Sequence, residues 1–274
     1  MTGALATIAV ALLALGLALR LPNAVGRLLR PLATTAILVA LWHIACVVQQ
    51  TKVFPTPAKT WEGMRTLVGD GIIFRYAIAS LFRVLAGFVL AALVAIPLGL
   101  WAGWSTRTFE AVNPLIQALR PISPIAWLPV SILWFGIGDG AAIFIIFLTT
   151  FFTLVTGAMT AVRSIPEVYI RTARNFGVTG LQLFRRVVLP AAMPQLITSI
   201  RISLGVGWIV VVAAEMLGVN SGLGYLVSDA RNMGMRYDLV VGAMICIGLI
   251  GIVLDFAVRR LERFDEVRWG FSKV

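Results

Sequence analysis

Reactive chemistry is scarce in this chain. One histidine, two cysteines and twelve acidic residues are spread over 274 residues, and charged side chains make up 13% against 59% hydrophobic. A soluble domain carries about 25% charge. The shortfall, with a mean hydropathy of +0.94, excludes both an ordinary soluble enzyme and a disordered chain. Cys46 and Cys246 lie inside apolar runs and form no C-x-x-C pair, so a disulfide scaffold is excluded and the redox compartment is not indicated. His43, beside Trp42 in an apolar run, has no neighbours in sequence with which to build a metal site or a nucleophilic triad, and no metal or cofactor is expected. Lys52, Lys59 and Lys273 follow Thr51, Ala58 and Ser272, so none closes the Gly-x-x-x-x-Gly-Lys loop that cradles phosphates. With no base, metal set or phosphate cradle, the chain is not expected to be an enzyme, and any ATP hydrolysis must come from a partner.

What is abundant is apolar sequence in lengths that match a bilayer, about 20 residues per helical crossing. Runs fall at about 3–19, 32–48, 77–103, 141–162, 191–217 and 239–258. Between the third and fourth, prolines at Pro114, Pro121, Pro124 and Pro129 interrupt the pattern. Such breaks are tolerated in a bilayer only where protein or a cavity satisfies the freed backbone groups. The expected fold is an all-α integral membrane bundle of six core spans plus an extra N-terminal helix. The first run lacks the basic flank and small-residue cleavage pattern of a signal peptide, so residues 1–31 are read as a retained helix and basic linker, and 32–274 as the main transmembrane domain.

The formal net charge of +11 sits on arginines between apolar runs, not on one polar face, and is read as topology; no nucleic-acid partner is expected. Arg163, Arg171, Arg174, Arg185 and Arg186 mark one side of the membrane, and Arg259, Arg260, Arg263, Arg268 and Lys273 fall on the same side. Positive-inside bias makes that side cytoplasmic.

The cytoplasmic segment 163–190 carries the strongest local pattern. Ser164-Ile-Pro-Glu167 reads as a capping box opening a helix. Ile165, Val168, Tyr169, Thr172, Ala173 and Phe176 fall on one face at helical spacing, opposite Glu167, Arg171, Arg174 and Asn175. Gly177 is placed to stop this helix as its C′ residue. A second box, Thr179-x-x-Gln182, is expected to open another short helix closed by Leu189-Pro190. Two short amphipathic helices are either a loop resting on the bilayer or a knob for a soluble partner's groove. Within the spans, Arg83, Arg120, Arg201 and Glu215 need a partner or a water-filled cavity. An anion pathway could use the arginines as donors, and Trp208 could line it; the alternative is structural pairing across helices or snorkelling.

The loop resembles that of the inner-membrane permease family of ATP-binding cassette importers, whose signature is Glu-Ala-Ala, three residues, Gly, nine residues, then Ile-x-Leu-Pro. Arg171-Thr172-Ala173, Gly177 and Val187-Val188-Leu189-Pro190 hold that spacing without a gap, with Arg171 in place of the glutamate and Thr172 in place of the first alanine. Phe54-Pro-Thr-Pro57, Ser80-Leu-Phe-Arg-Val-Leu-Ala-Gly87, Trp127-Leu-Pro129, Leu133-Trp-Phe-Gly-Ile-Gly138, Val212-Ala-Ala-Glu-Met216 and Ser221-Gly-Leu-Gly-Tyr225 are similar to the sulfonate, taurine and nitrate branch. The resemblance runs from about Leu32 to the C-terminus. It implies a type I importer-like core in the bacterial inner membrane and a second copy of the permease. It also implies two ATPase subunits on the cytoplasmic side, a periplasmic or lipid-anchored substrate-binding protein, and a small anionic cargo moved by alternating access. Val168, Tyr169, Arg171, Thr172, Ala173, Arg174, Phe176 and Gly177 then become the residues expected to couple the chain to its ATPases. The competing function is a secondary transporter or channel independent of an ATPase.

Overall fold

A computed structural model describes residues 23–49, 54–232 and 234–260. The expected span at 3–19 and the basic positions Arg263, Arg268 and Lys273 lie outside the described residues. Among the described residues eleven α-helices follow one another: α1 (Asn23–Gln49), α2 (Pro57–Gly69), α3 (Ile72–Trp104), α4 (Thr106–Leu119), α5 (Leu128–Phe135), α6 (Asp139–Arg163), α7 (Glu167–Asn175), α8 (Gly180–Leu183), α9 (Leu189–Gly218), α10 (Leu223–Asn232) and α11 (Tyr237–Arg259). No strand occurs among the described residues.

Among the described residues, five helical stretches are long and apolar enough to cross a membrane: Arg30–Val48, Ile72–Trp104, Asp139–Arg163, Gly180–Gly218 and Tyr237–Arg259. In the proline-rich middle, α4 and the Pro124–Phe135 segment are long and apolar enough only together, as a pair bent by 85°. With that bent pair counted as one span, the six core spans expected from sequence are represented. Helix α1 begins at Asn23, so part of the stretch read as linker is helical.

The described residues divide into two compact units, one within Met1–Ile73 and Val227–Ile245, the other within Phe74–Leu226 and Cys246–Val274. In the first, Thr56 caps α2 by accepting from the Lys59 amide, with Pro57 in the first turn. The absence of a side chain at Gly63 lets α2 approach the Asp238 carbonyl; a Cβ there would stand 2.9 Å from that oxygen. Trp42 meets Phe54 edge-on at 6.3 Å.

The second unit is held by α3, α6 and α9. Lipid tails are as apolar as leucine, so helices in a bilayer associate through close packing of small residues instead of hydrophobic segregation. Gly87, Ala91, Ala95, Gly99 and Gly103 recur every fourth residue along α3, and Ala91 and Ala95 are fully buried. Cβ atoms added at Gly87, Gly99 and Gly103 would fall within 2.8 Å of Ile146, Ala158 and Val162 on α6. Gly157 makes the same allowance for Ser199 of α9. Away from this seam α6 stacks Phe144, Phe147 and Phe151 along one face at i, i+3 and i+7, with ring centroids 6.5 and 5.7 Å apart.

Candidate functional site

Three places in the second unit gather the residues singled out by the sequence. The first is the loop after α6. Helix α7 ends in a Schellman motif: the Gly177 amide donates to the Arg174 carbonyl at 2.9 Å and the Val178 amide to Ala173 at 3.0 Å. Gly177 sits at φ +77°, the left-handed region in which a side chain is disfavoured. The apolar face of α7 has little to cover it. Phe176 is 83% exposed, and Val168 and Tyr169 are also exposed, while Ala173 is half-buried. Thr172, Arg171 and Arg174 face solvent too. Arg171 pairs with Glu167 at 2.8 Å, one turn back, so the arginine at the family's glutamate position is neutralised within its own helix.

Two details of the loop differ from expectation. Neither capping box forms. Ser164 ends α6 instead, its hydroxyl donating to the Ala161 carbonyl, and α7 begins at Glu167 behind Pro166 with no side-chain cap. A serine one residue beyond a 25-residue helix can serve either neighbour, and here the long helix continues to Arg163 and takes it. Thr179 likewise makes no capping bond. Nor does Leu189-Pro190 close a helix. Residues 180–218 form one 39-residue helical stretch, with a π turn at Phe184–Val188 in which the Leu189 amide reaches back to Phe184. Pro190 has no amide and its ring would strike the carbonyl four residues before it; the wider turn accommodates both problems. Phe184 anchors the junction against Trp104 at 5.8 Å.

The second place is a buried charge cluster. Arg83 of α3 is 2% exposed and Glu215 of α9 is 0% exposed. Arg83 Nη1 donates to Glu215 Oε1 at 2.6 Å and to the Ser221 carbonyl at 2.8 Å; Nε and Nη2 reach Asp139 Oδ1 at the start of α6, and Nη2 also reaches the Ser221 hydroxyl. All five guanidinium N–H groups thus have acceptors. Glu215 Oε2 accepts from Ser80 Oγ and from the Gly224 amide, both at 2.9 Å, and Ser80 Oγ accepts from the Leu223 amide. Burying an ion pair is tolerable when every remaining donor and acceptor is satisfied, which is the condition met here. The cluster also accounts for the Ser221-Gly-Leu-Gly-Tyr225 stretch. Gly222 lies at φ +104°, and a Cβ on it would stand 2.3 Å from the Glu215 carboxyl group.

The third place is a cleft of about 760 Å³ between α9 and α11. Arg201 lies at one end, its Nε donating to Asp255 Oδ1 at 2.7 Å, and Arg259 donates to the other oxygen of the same carboxylate at 2.9 Å. Trp208 is buried along the wall, and its indole N–H donates to the Ile247 carbonyl at 3.1 Å. Gly251 makes that reach possible, since a Cβ there would stand 2.9 Å from the indole nitrogen.

The structure therefore brings Arg83 together with Glu215, and Arg201 to the same cleft as Trp208, while Arg120 stays exposed at the bend after α4. Sequence reasoning missed Asp139, Ser80 and Ser221 as partners of the first pair and Asp255 as the partner of Arg201. The last had a signal, an acid one turn before Arg259; Asp139 and Ser221 had none beyond polarity next to glycine, and Ser80, between Ala79 and Leu81, had none. Among the described residues no group of three or more His, Cys, Asp or Glu side chains could hold a metal ion.

Comparison with known proteins bears on these places. A family model described as "Binding-protein-dependent transport system inner membrane component" matches residues 95–264. The chain is 33% identical over 239 residues to the taurine transport system permease protein TauC of Escherichia coli, covering 85% of this chain and 86% of the relative. It is 34% identical over 245 residues to the nitrate import permease protein NrtB of Leptolyngbya laminosa, covering 85% and 88%. A putative permease protein of Methanocaldococcus jannaschii, MJ0413, is 42% identical over 197 residues, covering 72% and 73%. An inward-facing crystal form of the MetNI methionine transporter shares the fold with a TM-score of 0.62 at 20% identity, over 70% of this chain and 95% of that one.

Proposed function

This chain belongs to the binding-protein-dependent transport system inner membrane component family, and from that premise we propose which parts of it meet its partners and cargo. It is a multi-pass permease subunit of an ATP-driven importer, and hydrolysis resides on separate ATPase subunits. A secondary transporter is not favoured by that membership.

We infer its assembly and contacts from that membership and from the geometry above. Two permease copies form a homodimer in the bacterial cytoplasmic membrane, with residues 32–274 as the permease domain and residues 1–31 adding a span. Two ATPases dock from the cytoplasm on Val168, Tyr169, Phe176 and the turn at Gly177, flanked by Arg171, Thr172, Ala173 and Arg174. A periplasmic or lipid-anchored binding protein delivers a small anion, a sulfonate, taurine, nitrate or similar. Arg83, Arg120, Arg201, Trp208 and Glu215 belong to the machinery of the pathway, Arg83 and Glu215 by fixing its helices and the others closer to the moving cargo. Rigid-body rocking of the spans, driven when the ATPases close, moves the opening from one side to the other.

The observation that carries this reading is the exposed apolar tip of α7. A phenylalanine 83% exposed at the end of a nine-residue helix, stopped sharply by a left-handed glycine, suits insertion into a groove. The test is Gly177→Pro in the reconstituted transporter. Proline fixes φ near −65° and cannot take the +77° of the stop. The variant is expected to insert in the membrane yet lose cargo-stimulated ATP hydrolysis, and normal stimulation would count against docking at this turn.

A further inference from the structure

A fourth place, assigned by none of the foregoing, is a cleft of about 450 Å³ between α4 and α6, lined by Phe109, Asn113, Gln117, Thr156, Thr160 and Arg163, with Met159 and Ser164 completing it. Its existence follows from two helical repeats. On α4, Phe109, Val112 and Ile116 pack into the core with Leu154, Val155 and Met159, which turns Asn113 and Gln117, one turn apart, toward a different face. On α6, Thr156 and Thr160 repeat at the same interval and lead to Arg163 and Ser164. Polar side chains at membrane depth are costly unless they face protein or water, and these face one another across a space.

The chemistry of the lining is specific. Arg163 is the one charged residue in it, and its guanidinium lies 3.9 Å from the centre of the Phe109 ring. It makes no ion pair among the described residues, in contrast to Arg83, Arg171, Arg201, Arg236 and Arg259, each of which has a carboxylate within 3 Å. Thr156 and Thr160 donate their hydroxyls to the carbonyls of Phe152 and Thr156 at 2.8 and 2.9 Å, so their oxygens present lone pairs. The amides of Asn113 and Gln117 offer both donors and acceptors, and one bond of 3.4 Å joins them. The volume admits on the order of ten water-sized occupants. A bare apolar ligand would leave these groups unmatched. A hydrated oxyanion matches them, its oxygens toward the guanidinium fork and the amide N–H groups and its water shell toward the threonine oxygens.

We propose that this cleft is the inner segment of the translocation pathway and binds a small hydrated oxyanion, with Arg163 as the cation the cargo meets last. The assignment rests on the reading above that the cargo is an anion and that Arg163 lies at the cytoplasmic end. The guanidinium, 3.9 Å from the centre of the Phe109 ring, is held there without a carboxylate that would compete with the cargo.

The test uses charged thiol reagents on the assembled transporter and requires no knowledge of the cargo. In a Cys46→Ala, Cys246→Ala background, Thr156→Cys and Asn113→Cys are each treated with sulfonatoethyl and trimethylammonioethyl methanethiosulfonate. Both cysteines are expected to react about tenfold faster with the anionic reagent, the scale on which a charged cleft concentrates counter-ions. Arg163→Gln should abolish the preference and Arg163→Lys should retain it, while a cysteine at exposed Ile202 of α9 serves as the control outside the cleft. A Thr156→Cys that stays unreactive with and without ATP overturns the proposal, as does reactivity with no dependence on residue 163. The two readings fail separately. Uptake of a sulfonate by a complex whose Thr156→Cys is unlabelled would sink the cleft alone, and anion-selective labelling in a complex that imports only cations would sink the anionic cargo alone.

Discussion

Two ion pairs of similar length divide the molecule. Arg83 and Glu215 meet at 2.6 Å with almost no exposure, and Arg171 and Glu167 meet at 2.8 Å with 70% exposure on both sides. The first joins α3 to α9 across 132 residues of sequence and draws in Asp139, Ser80 and the glycine-rich turn. The second joins neighbours on one helix. Distance alone therefore says little about what a charge does; the difference lies in how many other groups depend on the pair and whether water can replace a lost partner. The buried pair specifies how three helices and a turn come together. The exposed pair leaves the loop neutral at the position and available to a partner.

The largest effect should come from breaking the buried pair. Glu215→Ala strands the Arg83 guanidinium and the Gly224 amide, and is expected to cost about 3–5 kcal/mol, read as the unfolding free energy of the detergent-solubilised protein. A loss below about 1 kcal/mol would mean that water reaches the cluster and that the buried pair behaves like the exposed one. Gly222→Ala comes next, since it strains a φ of +104° and drives a methyl group into the Glu215 carboxyl; about 2–3 kcal/mol is expected. Because the two substitutions attack one network, the double variant should lose less than the sum, which a double-mutant cycle measures.

On the loop the expected order reverses between stability and function. Phe176→Ala should leave the unfolding free energy nearly unchanged but reduce ATPase docking by about 2 kcal/mol, the scale of an interface hot spot, seen as a roughly thirtyfold weaker affinity. An unchanged affinity would remove the ring from the interface. Smallest is Arg171→Ala, where an exposed i, i+4 pair is worth about 0.3–0.5 kcal/mol. The check is amide exchange in α7, which should rise no more than about twofold.

The long spans were readable because hydrocarbon imposes a length and a composition, and Gly177 because a left-handed stop leaves a glycine at a fixed offset from an apolar stripe. The partners of Arg83 were not readable. They lie 56 and 132–138 residues away, and nothing in a local window distinguishes Asp139 or Ser221 from any polar residue beside glycine. Ser164 misled for the opposite reason. Its neighbours fit a capping box, but the pattern cannot say which of two abutting helices takes the hydroxyl. Pro190 misled because a proline normally ends a helix, and the π turn that lets it continue depends on Phe184 packing against Trp104, a contact made 80 residues away in sequence.

The uninterrupted rod from Gly180 to Gly218 has a mechanical corollary. At about 1.5 Å per residue its 39 residues reach roughly 58 Å, so the short arm carrying Leu181 and the far end carrying Glu215 are two points on one crankshaft. A nudge at the near end would reach the Arg83 cluster as a swing or twist of the whole shaft, with the widened turn at Phe184–Val188 as the place where torque could be absorbed.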